Sequence, residues 1–179
     1  MRFHNMDSFT SEASCPETAF LASSHQLKRL LLVYRARFPS ADYCFLWHTA
    51  LLYVANEVLR KQTLGIDSDW ELWFRLCLSG YRDLFRCFKM AKVIYRGLLS
   101  MAMRNGVMTA TDAQEAIEQL DVPPIEHNEV GELGSMIVDL DLAMTDPLAA
   151  QAGILAEQFK DLALFDEFTV TAVTADGPE

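Results

Sequence analysis

The stretch from Tyr43 to Ala55 constrains this chain more than any other, because apart from His48 and Thr49 it is wholly apolar. A helix that is apolar almost all round has no face to give to water and has to be surrounded by other helices. The run falls short of the ~20 residues that span a bilayer, and Asn56 and Glu57 end it. It reads as the central helix of a bundle, from Tyr43 to about Gln62, capped by Ser40 or Asp42 and stopped by Gly65.

The neighbours that could cover it are legible by period and punctuation. Leu27, Leu30, Leu31 and Tyr34 recur as one helical face, in a helix that starts near Ser23-Ser24 and ends at Pro39. Ser68-Asp69-Trp70-Glu71 has the capping-box form, so a third helix is expected from Asp69 towards Phe88, with Gly80 inside it as a weak point or a close-packing site. A fourth helix is expected from Met90 to Arg104, stopped by Gly106, and Thr111-Asp112-Ala113-Gln114 opens a short fifth to about Leu120. Pro123-Pro124 closes the series. The fold class is therefore all-α: a helical bundle of about five helices over 23–122, after a flexible, disordered lead-in over 1–22.

Charge divides the chain in the same way. Residues 1–106 hold 14 basic and 9 acidic residues, whereas residues 107–179 hold one basic residue, Lys160, and 16 acidic ones. The whole chain carries −10, which argues against direct nucleic-acid binding, since a binder neutralises phosphates with clustered Lys and Arg. The segment 123–179 mixes acidic residues with Leu, Ile, Met and Phe, the composition of an acidic, largely disordered activation tail, with a helix over 148–168. On that helix Phe159, Leu162, Phe165 and Phe168 share one side among Asp161, Asp166 and Glu167. They are the candidate partner-binding residues, able to enter a groove on another protein with folding coupled to binding. The rival reading is a C-terminal helix docked on the chain's own core.

Chemical signatures are sparse. The four cysteines, Cys15, Cys44, Cys77 and Cys87, form no C-x-x-C pair and read as free, buried thiols of a reducing compartment. Cys44 and His48 are four apart on the apolar helix, so they could share a metal with further ligands such as His25, or act as a nucleophile pair. A core thiol and a core histidine explain them better. Asp67, Asp69 and Glu71 answer the dipole of a helix start rather than forming an acid–base pair. Arg82, Arg86, Lys89, Lys92 and Arg96 form a basic stripe, read as a solvated face, with docking of the acidic tail as the alternative. Neither G-x-G-x-x-G nor G-x-x-x-x-G-K-[ST] occurs. No catalytic, cofactor-binding or metal residue is assigned, and the N-terminal MRFHNMDSFTSEAS has no apolar core of a signal peptide.

The ordered series LKRLLLVYRARFPS, YCFLWHTALLYVANEVL, WELWFRLCLSGYRDLFRCF and VIYRGLLSMAMRNGVMTATDAQEAIEQL, covering Leu27 to Leu120, resembles the C-terminal part of the regulatory, fungal-specific domain of fungal Zn2Cys6 zinc-cluster transcription factors. Gly97-Leu98-Leu99-Ser100-Met101-Ala102 followed by Gly106 is most similar to the nitrogen-assimilation type. The resemblance implies a non-enzymatic effector role in RNA polymerase II transcription, in the nucleus, through contacts with transcription machinery or co-regulator proteins. The six-cysteine, two-zinc DNA-binding module of that family has no counterpart in these residues, so the resemblance implies neither zinc nor DNA binding here, and no clear nuclear-localisation signal is present. The alternative is a small helical enzyme or small-molecule-binding protein using the interior near Cys44 and His48.

Overall fold

The computed structural model describes residues 16–38, 44–63, 65, 69–120, 134–159 and 161–162. The chain divides into two units, Met1–Pro39 and Ser40–Glu179.

The first unit contributes one helix, α1 (Pro16–Arg37). It begins well before the expected start at Ser23 because Pro16 suits a first helical position, where its missing N–H is no loss and its φ is already helical. Ser23 is not a cap: its hydroxyl donates back to the Ala19 carbonyl at 2.8 Å, a bond a serine makes inside a helix. The Tyr34 and Phe38 rings meet at 5.1 Å in the last turn, and Pro39 follows.

The second unit is built on α2 (Phe45–Thr63), α3 (Trp70–Phe85), α4 (Met90–Arg104) and α5 (Ala110–Glu118). α2 packs on α3 and α4, α3 on α4, and α4 on α5. The apolar run of α2 puts Leu51, Leu52, Val54 and Ala55 into the core, joined by Val58 and Leu59 beyond it, by Phe74, Cys77, Tyr81 and Leu84 of α3 and by Ile94, Leu98 and Leu99 of α4. It is not enclosed all round as expected, since Leu46 (77%) and Tyr53 (54%) are exposed. At Gly80 the backbone of α3 lies against the Leu51 side chain of α2. A methyl group there would lie 2.7 Å and 2.8 Å from the two Leu51 δ-carbons, well inside contact distance, so any larger residue forces Leu51 to shift.

Two helix ends differ from the expected capping. Asp69 stands at the N-cap of α3 without a side-chain cap bond, and Glu71 turns to Arg75 one turn on, with Arg75 Nε donating to Glu71 Oε1 at 2.9 Å. Ser68 lies outside the described residues. The capping box of α5 is Thr109–Asp112, two residues before the expected Thr111: the Asp112 N–H donates to Thr109 Oγ1 at 3.2 Å and the Asp112 carboxylate accepts from the Thr109 N–H. The stop of α4 is a Schellman turn, in which Gly106 takes φ +68° and the Val107 N–H donates to the Ala102 carbonyl at 3.0 Å.

Residues 134–159 correct the expectation of a largely disordered tail from 123 onward. They form a short antiparallel contact, an irregular turn and a helix, α6, over 152–159. Val138 N–H donates to the Ala150 carbonyl at 2.9 Å and Ala152 N–H to the Met136 carbonyl at 2.8 Å, around the Ile137–Gln151 bridge. A one-turn 3₁₀ helix, Leu142–Met144, lies between them. Val138, Ala150, Ala152, Leu155 and Phe159 are buried. The receiving surface is Gly97 of α4, whose bare Cα is met by Leu155, Val138 and the Ala152 carbonyl. The all-α reading holds, but the expected helix over 148–168 starts at 152, since 148–151 form a turn and the bridge residue; its described helical residues are 152–159 and 161–162. Residues 1–15, 121–133 and 163–179 lie outside the described residues. Among the described residues no helix is long and apolar enough to cross a membrane.

Candidate functional site

The residues singled out for chemistry are held in structural roles. His48 is buried in α2, with the Tyr81 hydroxyl of α3 at 2.8 Å from its Nδ1 and 3.3 Å from its backbone carbonyl oxygen. If Nδ1 carries the proton it donates to the phenol oxygen and the phenol donates on to the carbonyl. If Nδ1 is bare, the phenol donates to it. Burial pushes the imidazole below its ordinary pKa and the phenol well above its own, so the pair is neutral. The space beside them, bounded by Leu84, Phe88, Ala91 and Ile94, is about 10 Å³, which holds one water at most. A metabolite has no room in it.

Cys44 is half-buried, Cys77 buried and Cys87 exposed, all three free thiols, so the expectation of buried thiols fails at Cys87. Its place in the turn after α3 puts it at the surface. His25 lies exposed on α1, in the other unit. Among the described residues no group of three His, Cys, Asp or Glu side chains is placed to hold a metal ion.

The strongest polar constellation was not singled out from sequence. Asn56, buried in α2, donates to the Leu52 carbonyl at 3.0 Å and to the Val138 carbonyl at 2.8 Å, and its side-chain oxygen accepts from the Leu140 N–H at 2.9 Å. A carboxamide carries both a donor and an acceptor, which is what a passing extended backbone requires. Beside it, the buried Asp139 accepts from the Leu142 N–H at 2.9 Å and forms an ion pair with Arg104 at the end of α4. Asn56 and Arg104 thus tie the acidic segment to α2 and α4. The only sequence signal was a polar residue directly after the apolar run that ends at Ala55.

The candidate partner-binding residues separate. Phe159 is buried, 7% exposed, and faces the fold; Leu162 is half-buried; Phe165 and Phe168 lie outside the described residues. For Phe159 the docked-helix reading replaces partner contact, because the ring is buried and Leu155 of the same helix packs at Gly97 of α4.

The basic stripe also divides. Arg82, Arg86 and Lys89 are exposed. Lys92 is buried, its Nζ 5.8 Å from the centre of the Phe85 ring. Arg96 is half-buried, its Nε is buried without a hydrogen-bond partner, and burial lowers its pKa. α4 is covered on more sides than α3, so its cations turn inward while those of α3 stay in water. What remains outside is a row of Leu72, Arg75 and Arg82 on α3 with the half-buried Ser79 between them, continued by the C-cap residue Arg86. Leu72 is 66% exposed.

Along the edge of this row runs a groove of about 210 Å³ between α3 and α5, with Leu78, Tyr95, Met108 and Ala116 in its lining. Arg75 and Arg82 stand on the α3 side, Asp112 and Glu115 on the α5 side. The Tyr95 hydroxyl donates to the Ala116 carbonyl at 3.1 Å, fixing α5 against α4, and burial raises its pKa to about 12 against the opposing pull of Arg82. No protein-family model matches the chain, nor does any curated protein or solved structure.

Proposed function

We propose that this chain is a regulatory interaction module that acts in RNA polymerase II transcription by contacting transcription machinery or co-regulator proteins, the role implied by the resemblance of Leu27 to Leu120 to the effector part of fungal zinc-cluster regulators. The observation that supports it most is the segregation of charge. One face of α3 carries an exposed arginine row, while residues 107–179 of the same chain hold 16 acidic residues against one lysine. Opposed fields of this kind steer association between proteins and select partners by sign. The proposed role is non-enzymatic, nuclear and without direct contact to nucleic acid.

The proposed activating contacts move towards the C-terminus. Since Phe159 is buried, they fall on Phe165 and Phe168, which stand beside Asp166 and Glu167 in a stretch with no basic residue after Lys160. The test is a reporter assay with the full chain fused to a heterologous DNA-binding domain. Activation above the DNA-binding domain alone is expected, with most of it lost in Phe165→Ala/Phe168→Ala while the melting temperature is unchanged. A fusion as silent as the DNA-binding domain alone, and unable to repress a constitutive reporter, removes the proposal.

A further inference from the structure

The groove between α3 and α5 has walls of opposite charge that do not neutralise each other. Arg75 is engaged by Glu71 on its own helix, and Asp112 is engaged by the Thr109 cap. Arg82 and Glu115 remain: both line the groove, and among the described residues neither side chain has a hydrogen bond or an ion pair. Between them the lining includes Leu78, Met108 and Ala116, with Tyr95 held by its bond to α5.

Such a site discriminates by charge distribution rather than net charge. A simple anion drawn to Arg82 is repelled by Glu115 and Asp112, and a simple cation drawn to Glu115 is repelled by Arg82 and Arg75, so each gains little. A molecule with a carboxylate at one end and an ammonium at the other meets an attractive partner at both ends, through charge-assisted hydrogen bonds. The volume of about 210 Å³ is below the ~300 Å³ at which drug-sized pockets begin, which limits the occupant to a small metabolite. The mixed polar and apolar lining suits an aliphatic or amide side chain.

We infer that the α3–α5 groove binds a small zwitterion, a free amino acid or a close analogue, with its carboxylate on Arg82 and its ammonium on Glu115. Binding here is independent of the transcriptional role, since either can hold without the other.

The experiment is an amide-resolved NMR titration of the full chain with L-leucine and L-glutamine as probes. Two singly charged analogues of leucine, 3-methylbutylamine and 4-methylpentanoate, serve as comparisons. At least one amino acid is expected to give saturable shifts at Ser79, Tyr95, Glu115 and Gln119, with a dissociation constant on the order of 1 mM for so few atoms. The singly charged analogues should bind at least ~10-fold more weakly, as should both amino acids to Arg82→Gln and to Glu115→Gln. The double variant Arg82→Glu/Glu115→Arg should recover binding with the ligand reversed, which a merely damaged surface would not do; spectral dispersion shows whether each variant is folded. No saturable shift with either amino acid, equal affinity for the amine or the acid, or unchanged affinity in both single variants overturns the assignment.

Discussion

Replacing Gly80 with alanine sets two known effects against each other at one atom. In an exposed helix interior the change gains about 1 kcal/mol of helix propensity. Here the new methyl meets the Leu51 side chain at 2.7 Å and 2.8 Å, where carbon atoms rest at roughly 3.5–4.0 Å, so Leu51 has to retreat by about 1 Å. Leu51 is fully buried, so its retreat presses on the side chains packed around it. Overpacking of this kind costs about 1–3 kcal/mol, leaving Gly80→Ala neutral to ~2 kcal/mol destabilising. Leu51→Ala by itself should cost about 2–5 kcal/mol through the cavity it leaves. In that background the Gly80→Ala methyl enters vacated space, and the same substitution should stabilise by about 1 kcal/mol. Urea unfolding of the wild type, the two single variants and the double variant closes the cycle. A coupling of about 1–3 kcal/mol is expected. If Gly80→Ala stabilises the wild type by ~1 kcal/mol, or the coupling stays below the ~0.5 kcal/mol seen for independent sites, the close approach of α2 and α3 at this point is refuted.

Three further outcomes follow from the polar contacts and the docked segment. Asn56→Ala leaves the Val138 carbonyl and the Leu140 N–H unpaired and should cost about 2–4 kcal/mol, with amide exchange over 134–145 accelerating more than in α3. His48 has its folded pKa lowered below 6.5, so as pH falls below 6.5 the unfolded chain takes up a proton that the folded chain refuses. That contribution to stability is complete above 6.5 and lost as pH falls towards the lowered folded value, and a comparison of urea midpoints for wild type and His48→Gln across this window should show the extra slope in the wild type alone. Phe159→Ala should destabilise by about 3–5 kcal/mol in thermal or urea unfolding, and any loss of reporter activity it causes should be recovered by Phe159→Leu, the signature of packing rather than partner contact.

The bundle was legible because its signals are local. The apolar run of α2 marked a core helix, although its Leu46 and Tyr53 are exposed, and the Gly106 stop and the α3 and α4 spans came close to their observed bounds. The start of α1 was misplaced because Ser23 suits a cap and a helix interior alike, and only the Ala19 carbonyl decides between them. The α5 box was misplaced by two residues because Asp112 serves at N3 as well as the Glu or Gln that the pattern seeks. The larger miss, the docking of 134–159, has a physical reason. Its exposed acidic residues, Asp141, Asp146 and Glu157, mask in composition the few large side chains it buries, Val138, Leu155 and Phe159, and the buried Ala150, Ala152 and Ala156 weigh little in any hydropathy reading. The groove was invisible for the same reason. Arg82 and Glu115 are ordinary surface charges until α3 and α5 bring them to one place.

The Asn56 clamp also sets a timetable. Its partners lie 82 and 84 residues further along the chain. At synthesis rates of ~5–20 residues per second, α2 leaves the ribosome roughly 4–17 s before the backbone that completes it. During that interval the carboxamide, joined about halfway by Gly97, waits without its partners in a half-built apolar bundle, a surface for chaperones to hold. The acidic C-terminal stretch then acts as the closing piece of its own assembly. A nonsense change anywhere ahead of residue 140 would harm helices translated long before it.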